Sequence, residues 1–85
     1  MSVYYFTAEW CAGCKAFKPT VQTVSRELGI PVNYVNVDYE SELVEKYNVT
    51  SVPTLMVVDQ GGNVLFRNSG VMPSHQLSEV FSRYK

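Results

Sequence analysis

Eighty-five residues make one small domain, able to bury only a little over ~60% of the surface that its unfolded chain exposes. Hydrophobic residues at 46% against 18% charged residues exclude a disordered chain. A formal net charge of -1 supplies no basic field for nucleic acid or for an anionic lipid surface, so neither is expected as a partner. No apolar run approaches a membrane span and no basic-then-apolar leader opens the chain.

Val3 to Thr7 reads as a buried strand of β-branched and aromatic residues without charge. Ala8-Glu9-Trp10 turns out of it into Cys11-Ala12-Gly13-Cys14, which holds both cysteines of the chain. A helical pattern starts at Cys14, with Phe17, Val21, Val24 and Leu28 on one face and Lys15, Lys18, Gln22 and Arg26 on the other. Pro19 lies inside it and removes one hydrogen bond to the Lys15 carbonyl. Gly29 and Pro31 end it. Val32 to Asp38 predicts a second strand, parallel to the first because a helix connects them.

Ser41 is expected to cap a short helix that turns Leu43, Val44 and Tyr47 inward and ends at a left-handed Asn48. Pro53 opens the strand Leu55 to Val58, since proline cannot donate to a ladder. Asp59-Gln60-Gly61-Gly62-Asn63 is a hairpin loop, and Val64 to Asn68 is the returning strand. Ser69-Gly70 breaks that strand. A last helix begins near Pro73 or Ser74 and buries Leu77, Val80, Phe81 and Tyr84. The order β-α-β-α-β-β-α predicts an α/β fold with a four-stranded mixed sheet and helices on both faces.

Two thiols sit where a strand hands over to a helix. The amide N–H groups and dipole of a helix N-terminus favour an anion, here the thiolate that carries thiol–disulfide exchange. Two cysteines are too few for a disulfide framework. With His75 alone as a third ligand they cannot close a structural zinc site in a monomer, so no metal is expected. In a reducing compartment a lone C-x-x-C is catalytic or metal-binding sooner than structural, and a cytoplasmic location follows. The bland readings are two small buried hydrophobes, one inert disulfide, or a cluster shared across a dimer. His75, distant along the chain from Cys11, reads as a surface residue and not as a hydrolase base.

On these residues the sequence resembles the thioredoxin family. The match is Ala8-Glu9-Trp10-Cys11-Ala12-Gly13-Cys14-Lys15, then Pro19, Asn36-Val37-Asp38, Lys46-Tyr47, Val52-Pro53-Thr54-Leu55 and Gly70, and it covers the chain from Val3 onward. The family's usual first strand and helix are not seen, which leaves the minimal thioredoxin core that glutaredoxins also use. The resemblance implies a single domain over residues 1–85 and a monomeric dithiol–disulfide oxidoreductase that reduces disulfides in partner proteins. It implies Cys11 as the attacking thiol, Cys14 as the resolving thiol and a cis peptide between Val52 and Pro53. Trp10, Ala12, Gly13, Val52, Pro53 and Gly70 would form the substrate surface. No cofactor is implied beyond the Cys11–Cys14 disulfide. Electrons would come from a thioredoxin-reductase-like protein or from a thiol such as glutathione.

The sequence also departs from that pattern. Tyr5 stands where the family has a buried Asp, and Tyr34 where it has a Lys partner. Ala12-Gly13 replaces Gly-Pro, and glycine loosens the reduced loop relative to proline. Water or the Tyr5 hydroxyl is expected to stand in for the missing carboxylate, with Lys15 tuning the thiolate. Two alternatives remain open: a glutathione-dependent glutaredoxin-like protein, and a non-catalytic binding module on the same surface.

Overall fold

The computed structural model describes residues 1–84. Four strands and three helices alternate as β1 (Ser2–Thr7), α1 (Ala12–Leu28), β2 (Val32–Asn36), α2 (Ser41–Lys46), β3 (Thr54–Val58), β4 (Val64–Ser69) and α3 (Ser74–Arg83). The sheet order is β2-β1-β3-β4. β1 and β2 are parallel, with Thr7 opposite Asn36. The β1/β3 and β3/β4 pairs are antiparallel.

The two central strands explain the uninterrupted apolar runs of the sequence. In β1 and β3 successive side chains enter different cores. Val3, Tyr5, Leu55 and Val57 join Phe17, Val21 and Val24 of α1 and Leu77, Val80 and Phe81 of α3. Phe6, Met56 and Val58 join Val35 and Tyr47 on the opposite face, where Leu43 of α2 packs. A strand buried on both faces has no polar positions to alternate.

Local chemistry sets the element ends. Gly29 caps α1 at φ 66, and its N–H and that of Ile30 return to the last turn. Asn48 takes φ 52 as expected of a left-handed cap. The β3–β4 turn is held by the Asp59 carboxylate, which accepts the N–H groups of Gly61 and Asn63 at 2.9 Å each.

Several boundaries differ from the sequence expectation: β3 starts at Thr54, not Leu55, and β4 runs on through Ser69, which pairs with Thr54. α1 begins at Ala12, two residues before Cys14, because Cys11 takes the capping position. β2 stops at Asn36, not Asp38: the Asn36 carbonyl accepts the N–H groups of Tyr39 and Glu40, and its side chain accepts that of Asp38. Ser41 is already helical; Glu40 holds the N-cap position and its side chain makes no cap bond. At α3, Pro73 occupies the N-cap position and Ser74 is the first helical residue.

Candidate active site

Parallel pairing brings the C-terminal ends of β1 and β2 to one rim of the sheet, and the chain leaving β1 carries the cysteines there. Cys11 has extended backbone, φ -93 and ψ 106, and stands at the head of a 17-residue helix. Its Sγ accepts the Cys14 N–H at 3.1 Å. Sulfur thus fills the role that a serine or aspartate oxygen fills at ordinary helix starts. The first turn of α1 carries no acidic residue, so nothing there opposes a negative sulfur at the positive end of the helix.

Cys11 and Cys14 are joined by a disulfide with their Cα atoms 5.3 Å apart. The two sulfurs are not equivalent. Cys11 is half-buried and Cys14 is 0% exposed. An incoming group therefore meets Cys11.

The loop facing Cys11 carries the cis Val52–Pro53 peptide bond that the family resemblance implied. The Val52 carbonyl oxygen lies 3.8 Å from Cys11 Sγ. Thr54, 1% exposed, donates its hydroxyl to the Ser51 carbonyl at 2.7 Å and so ties this loop to the start of β3. Gly70 takes φ 98 and donates its N–H to the Pro53 carbonyl at 2.8 Å. A Cβ on Gly13 would lie 3.9 Å from Pro53 Cδ, so a small side chain at 13 fits beside the cis-proline loop.

Trp10 is 69% exposed, and its indole N–H donates to the Asp38 carboxylate at 3.0 Å. A shallow cleft of about 240 Å³ runs beside it, lined by Val37, Val44, Val49 and Val52. Asp38 reads from sequence as a strand-end or cap residue, and its bond to Trp10 is not part of that reading. The signal lay in the strand register: with Thr7 opposite Asn36, residues just past both strands share one rim.

Tyr5 sits beneath the helix start. Its hydroxyl donates to the Cys14 carbonyl oxygen at 2.8 Å. Burial, with the neighbouring Tyr34 as a lesser cause, pushes its phenol up to about 12. Burial also raises Tyr34, partly offset by Arg26. Ala12, Lys15 and Lys18 are exposed. His75, on α3, is exposed as expected. Among the described residues no group of three or more His, Cys, Asp or Glu side chains could hold a metal ion.

One reachable sulfur and one shielded sulfur, able to open and close a single bond, are what a dithiol–disulfide oxidoreductase requires. A family model described as Thioredoxin matches residues 1–83, and the chain belongs to the thioredoxin family. It is 32% identical over 81 residues to thioredoxin of Bacillus subtilis (strain 168), covering 93% of this chain and 77% of that protein. It is 35% identical over 75 residues to thioredoxin C-2 of Corynebacterium nephridii, covering 86% and 68%. Among solved structures, Fasciola hepatica thioredoxin superimposes with a TM-score of 0.86 at 32% identity, over 98% of this chain and 79% of that one. Plasmodium falciparum thioredoxin gives 0.84 at 30% identity, over 99% and 85%.

The protein is thus a thioredoxin-like dithiol–disulfide oxidoreductase whose Cys11–Cys14 pair is itself the redox group. The family implies protein disulfides as substrates and a reductase-type electron donor. The glutaredoxin-like and binding-module alternatives are not favoured. Among the described residues no helix is long and apolar enough to cross a membrane.

Proposed function

We propose that the chain acts as a monomeric, single-domain protein-disulfide reductase of the cytoplasm, with Cys11 as nucleophile and Cys14 as resolving thiol. The observation that carries the assignment is the unequal exposure of the two sulfurs, with the reachable one at the helix N-terminus. In the reduced protein the Cys11 thiolate attacks one sulfur of a substrate disulfide. A mixed disulfide forms, and the other substrate sulfur leaves as a thiolate. Cys14 then loses its proton and attacks Cys11 Sγ. The Cys11–Cys14 disulfide closes, and the second substrate sulfur leaves with the bonding pair. The substrate gains two electrons and the cysteines lose two.

Trp10, Ala12, Gly13, Val52, Pro53 and Gly70 ring Cys11 and receive the substrate chain, with Val52 offering its backbone beside the reacting sulfur. This reading is supported by the contact of Val52 with Cys11 and by the exposed, hydrogen-bonded Trp10. Electrons return from a thioredoxin-reductase-like flavoprotein or from glutathione.

The test is trapping. Cys14→Ser is expected to stop at a mixed disulfide with a protein substrate, visible as a mass adduct on Cys11, and Cys11→Ser is expected to form no adduct. Adducts on Cys14 in the Cys11→Ser protein at the wild-type rate would reverse the roles. Regeneration of the dithiol by reductase and by glutathione, compared at equal protein concentration, names the donor.

A further inference from the structure

Once Cys11 carries a substrate sulfur, Cys14 must give up a proton before it can attack. Two features adjoin this buried thiol. One is the Tyr5 hydroxyl, which donates to the Cys14 carbonyl at 2.8 Å. The other is a cavity of about 320 Å³ whose lining includes Thr7, Cys14, Lys15, Lys18, Tyr34 and Asn36. Cys14 is 0% exposed while the disulfide is closed and backs this wall, so cavity water reaches its sulfur only once that bond opens.

We infer that Tyr5 is a positioning residue for the resolving step: its hydroxyl holds the Cys14 backbone, while the Cys14 proton leaves to water through the cavity walled by Lys15, Lys18 and Tyr34.

The positioning half follows from how rigidly Tyr5 is held. It lies in β1, opposite Tyr34 on one side and Leu55 on the other. Its ring meets Phe17 and Tyr34 edge-on, both at 5.8 Å between centroids. A fully buried side chain with no room to swing fixes its hydroxyl in space. The bond to the Cys14 carbonyl then pins the first turn of α1 to the sheet, and the sulfur of the same residue with it.

The proton half follows from where the phenol proton points. It is committed to a backbone carbonyl. To take the thiol proton as a base, Tyr5 would have to be a phenolate, and burial holds it neutral far above the thiol range. The cavity offers the other route. Most of its lining is apolar, and Thr7, Asn36 and the two lysines supply the polar partners that a water there needs.

Charged and titratable groups from four elements share the cavity lining with Cys14 or bond to it. Cys11 and Glu9 come from the β1–α1 connection, Lys15 and Lys18 from α1, Tyr5 from β1 and Tyr34 from β2. Lys18 Nζ is held 5.3 Å from the centroid of the Tyr34 ring, which keeps a cation at this wall. The cavity lining thus carries two ammonium groups against the single Glu9 carboxylate.

In the resolving step the proton of Cys14 passes to a cavity water. The sulfur electron pair forms the bond to Cys11 Sγ. The bond between Cys11 and the substrate sulfur breaks, and its pair leaves with the substrate.

The inference rests on Cys14 as the resolving thiol, and one experiment separates the two claims. Reduced protein is mixed in stopped flow with an aromatic disulfide that releases a coloured thiolate. The first release reports attack by Cys11 and the second reports Cys14, each followed against pH. Cys14→Ser must abolish the second release; if it persists, the assignment of roles falls, whatever Tyr5 does.

Given that, Tyr5→Phe is expected to leave the first release unchanged and to slow the second about threefold to tenfold, the worth of one hydrogen bond. The pH midpoint of the second release stays in place. Lys18→Gln moves that midpoint to higher pH. Replacement of Tyr5 by 3-fluorotyrosine preserves ring and hydrogen bond while making the phenol more acidic, and covers the case in which Tyr5→Phe does not fold. Its midpoint is expected to match wild type. A shifted midpoint in either Tyr5 variant makes Tyr5 a proton carrier and overturns the inference. So does an unchanged second release in Tyr5→Phe, or an unmoved midpoint in Lys18→Gln.

Discussion

Gly70 ties the end of β4 to the cis-Pro53 loop, and replacing it by alanine tests what its backbone contributes. Its φ of 98 lies beyond the left-handed helical region, where side chains are strained, and a Cβ there would meet no atom within 4 Å. The cost is therefore conformational and not a clash. It amounts to about 1–3 kcal/mol for a residue forced into such backbone. A chain of 85 residues has roughly 4–13 kcal/mol of total stability, so the variant folds. At about 4–8 °C per kcal/mol for a domain of this size, the thermal midpoint falls by about 4–24 °C. The assay is thermal unfolding of the oxidised protein without reductant, where the Cys11–Cys14 bond stays closed and one transition is expected. Gly29→Ala is the comparison: at φ 66 it sits in the left-handed region proper, and it costs less, about 1 kcal/mol. D-alanine at position 70, introduced by chemical synthesis, prefers positive φ and gains up to about 1 kcal/mol by restricting the unfolded chain. Equal destabilisation by L- and D-alanine would refute the conformational account, because both carry the same added methyl group. No shift with L-alanine would refute it as well.

Leu77→Ala removes a fully buried side chain from the core that α3 shares with α1, and costs about 2–5 kcal/mol, read as a lower urea midpoint at unchanged slope. Asp38→Ala frees the Trp10 indole; turnover of protein disulfides falls about threefold to tenfold while reaction with a small aromatic disulfide is unchanged, and equal losses on both would place the effect on Cys11 itself. The folded state holds the Tyr5 proton to about pH 12, against 10.0 ordinarily. Its contribution, up to about 2–3 kcal/mol, is therefore complete below pH ~10 and is lost as pH rises towards 12. Urea titrations across that window are expected to show wild type losing stability more steeply than Tyr5→Phe.

The division between what the sequence reveals and what it conceals follows the range of the interactions. The helix over Phe17 to Leu28 and its stop at Gly29 are written in periodicity and in one residue's backbone freedom, both local, and both are found. The cysteine pair is legible for the same reason: its reactivity comes from the strand-to-helix junction that its neighbours encode. Element ends set by competition between local bonds differ from the sequence expectation. The Asn36 side chain and carbonyl capture the next N–H groups and end β2 early, where β-propensity alone would carry it to Asp38. Ser41 has the preferred capping chemistry, yet it lies one residue inside the helix and the cap position goes to Glu40.

The long-range contacts were legible only as positions, not as bonds. Trp10 with Asp38, and Tyr5 with Cys14, join residues 28 and 9 apart, and no spacing rule predicts either. The Tyr5 case shows what that difference does to a mechanism. From sequence, a tyrosine in place of a carboxylate invites the reading that one proton acceptor has been exchanged for another. With its proton directed at a backbone carbonyl and its ring closed in by Phe17 and Tyr34, the same residue is unfit to be a base and well suited to hold Cys14 still. A change of residue type at this site therefore alters the division of labour, with position supplied by the sheet and proton transfer left to solvent.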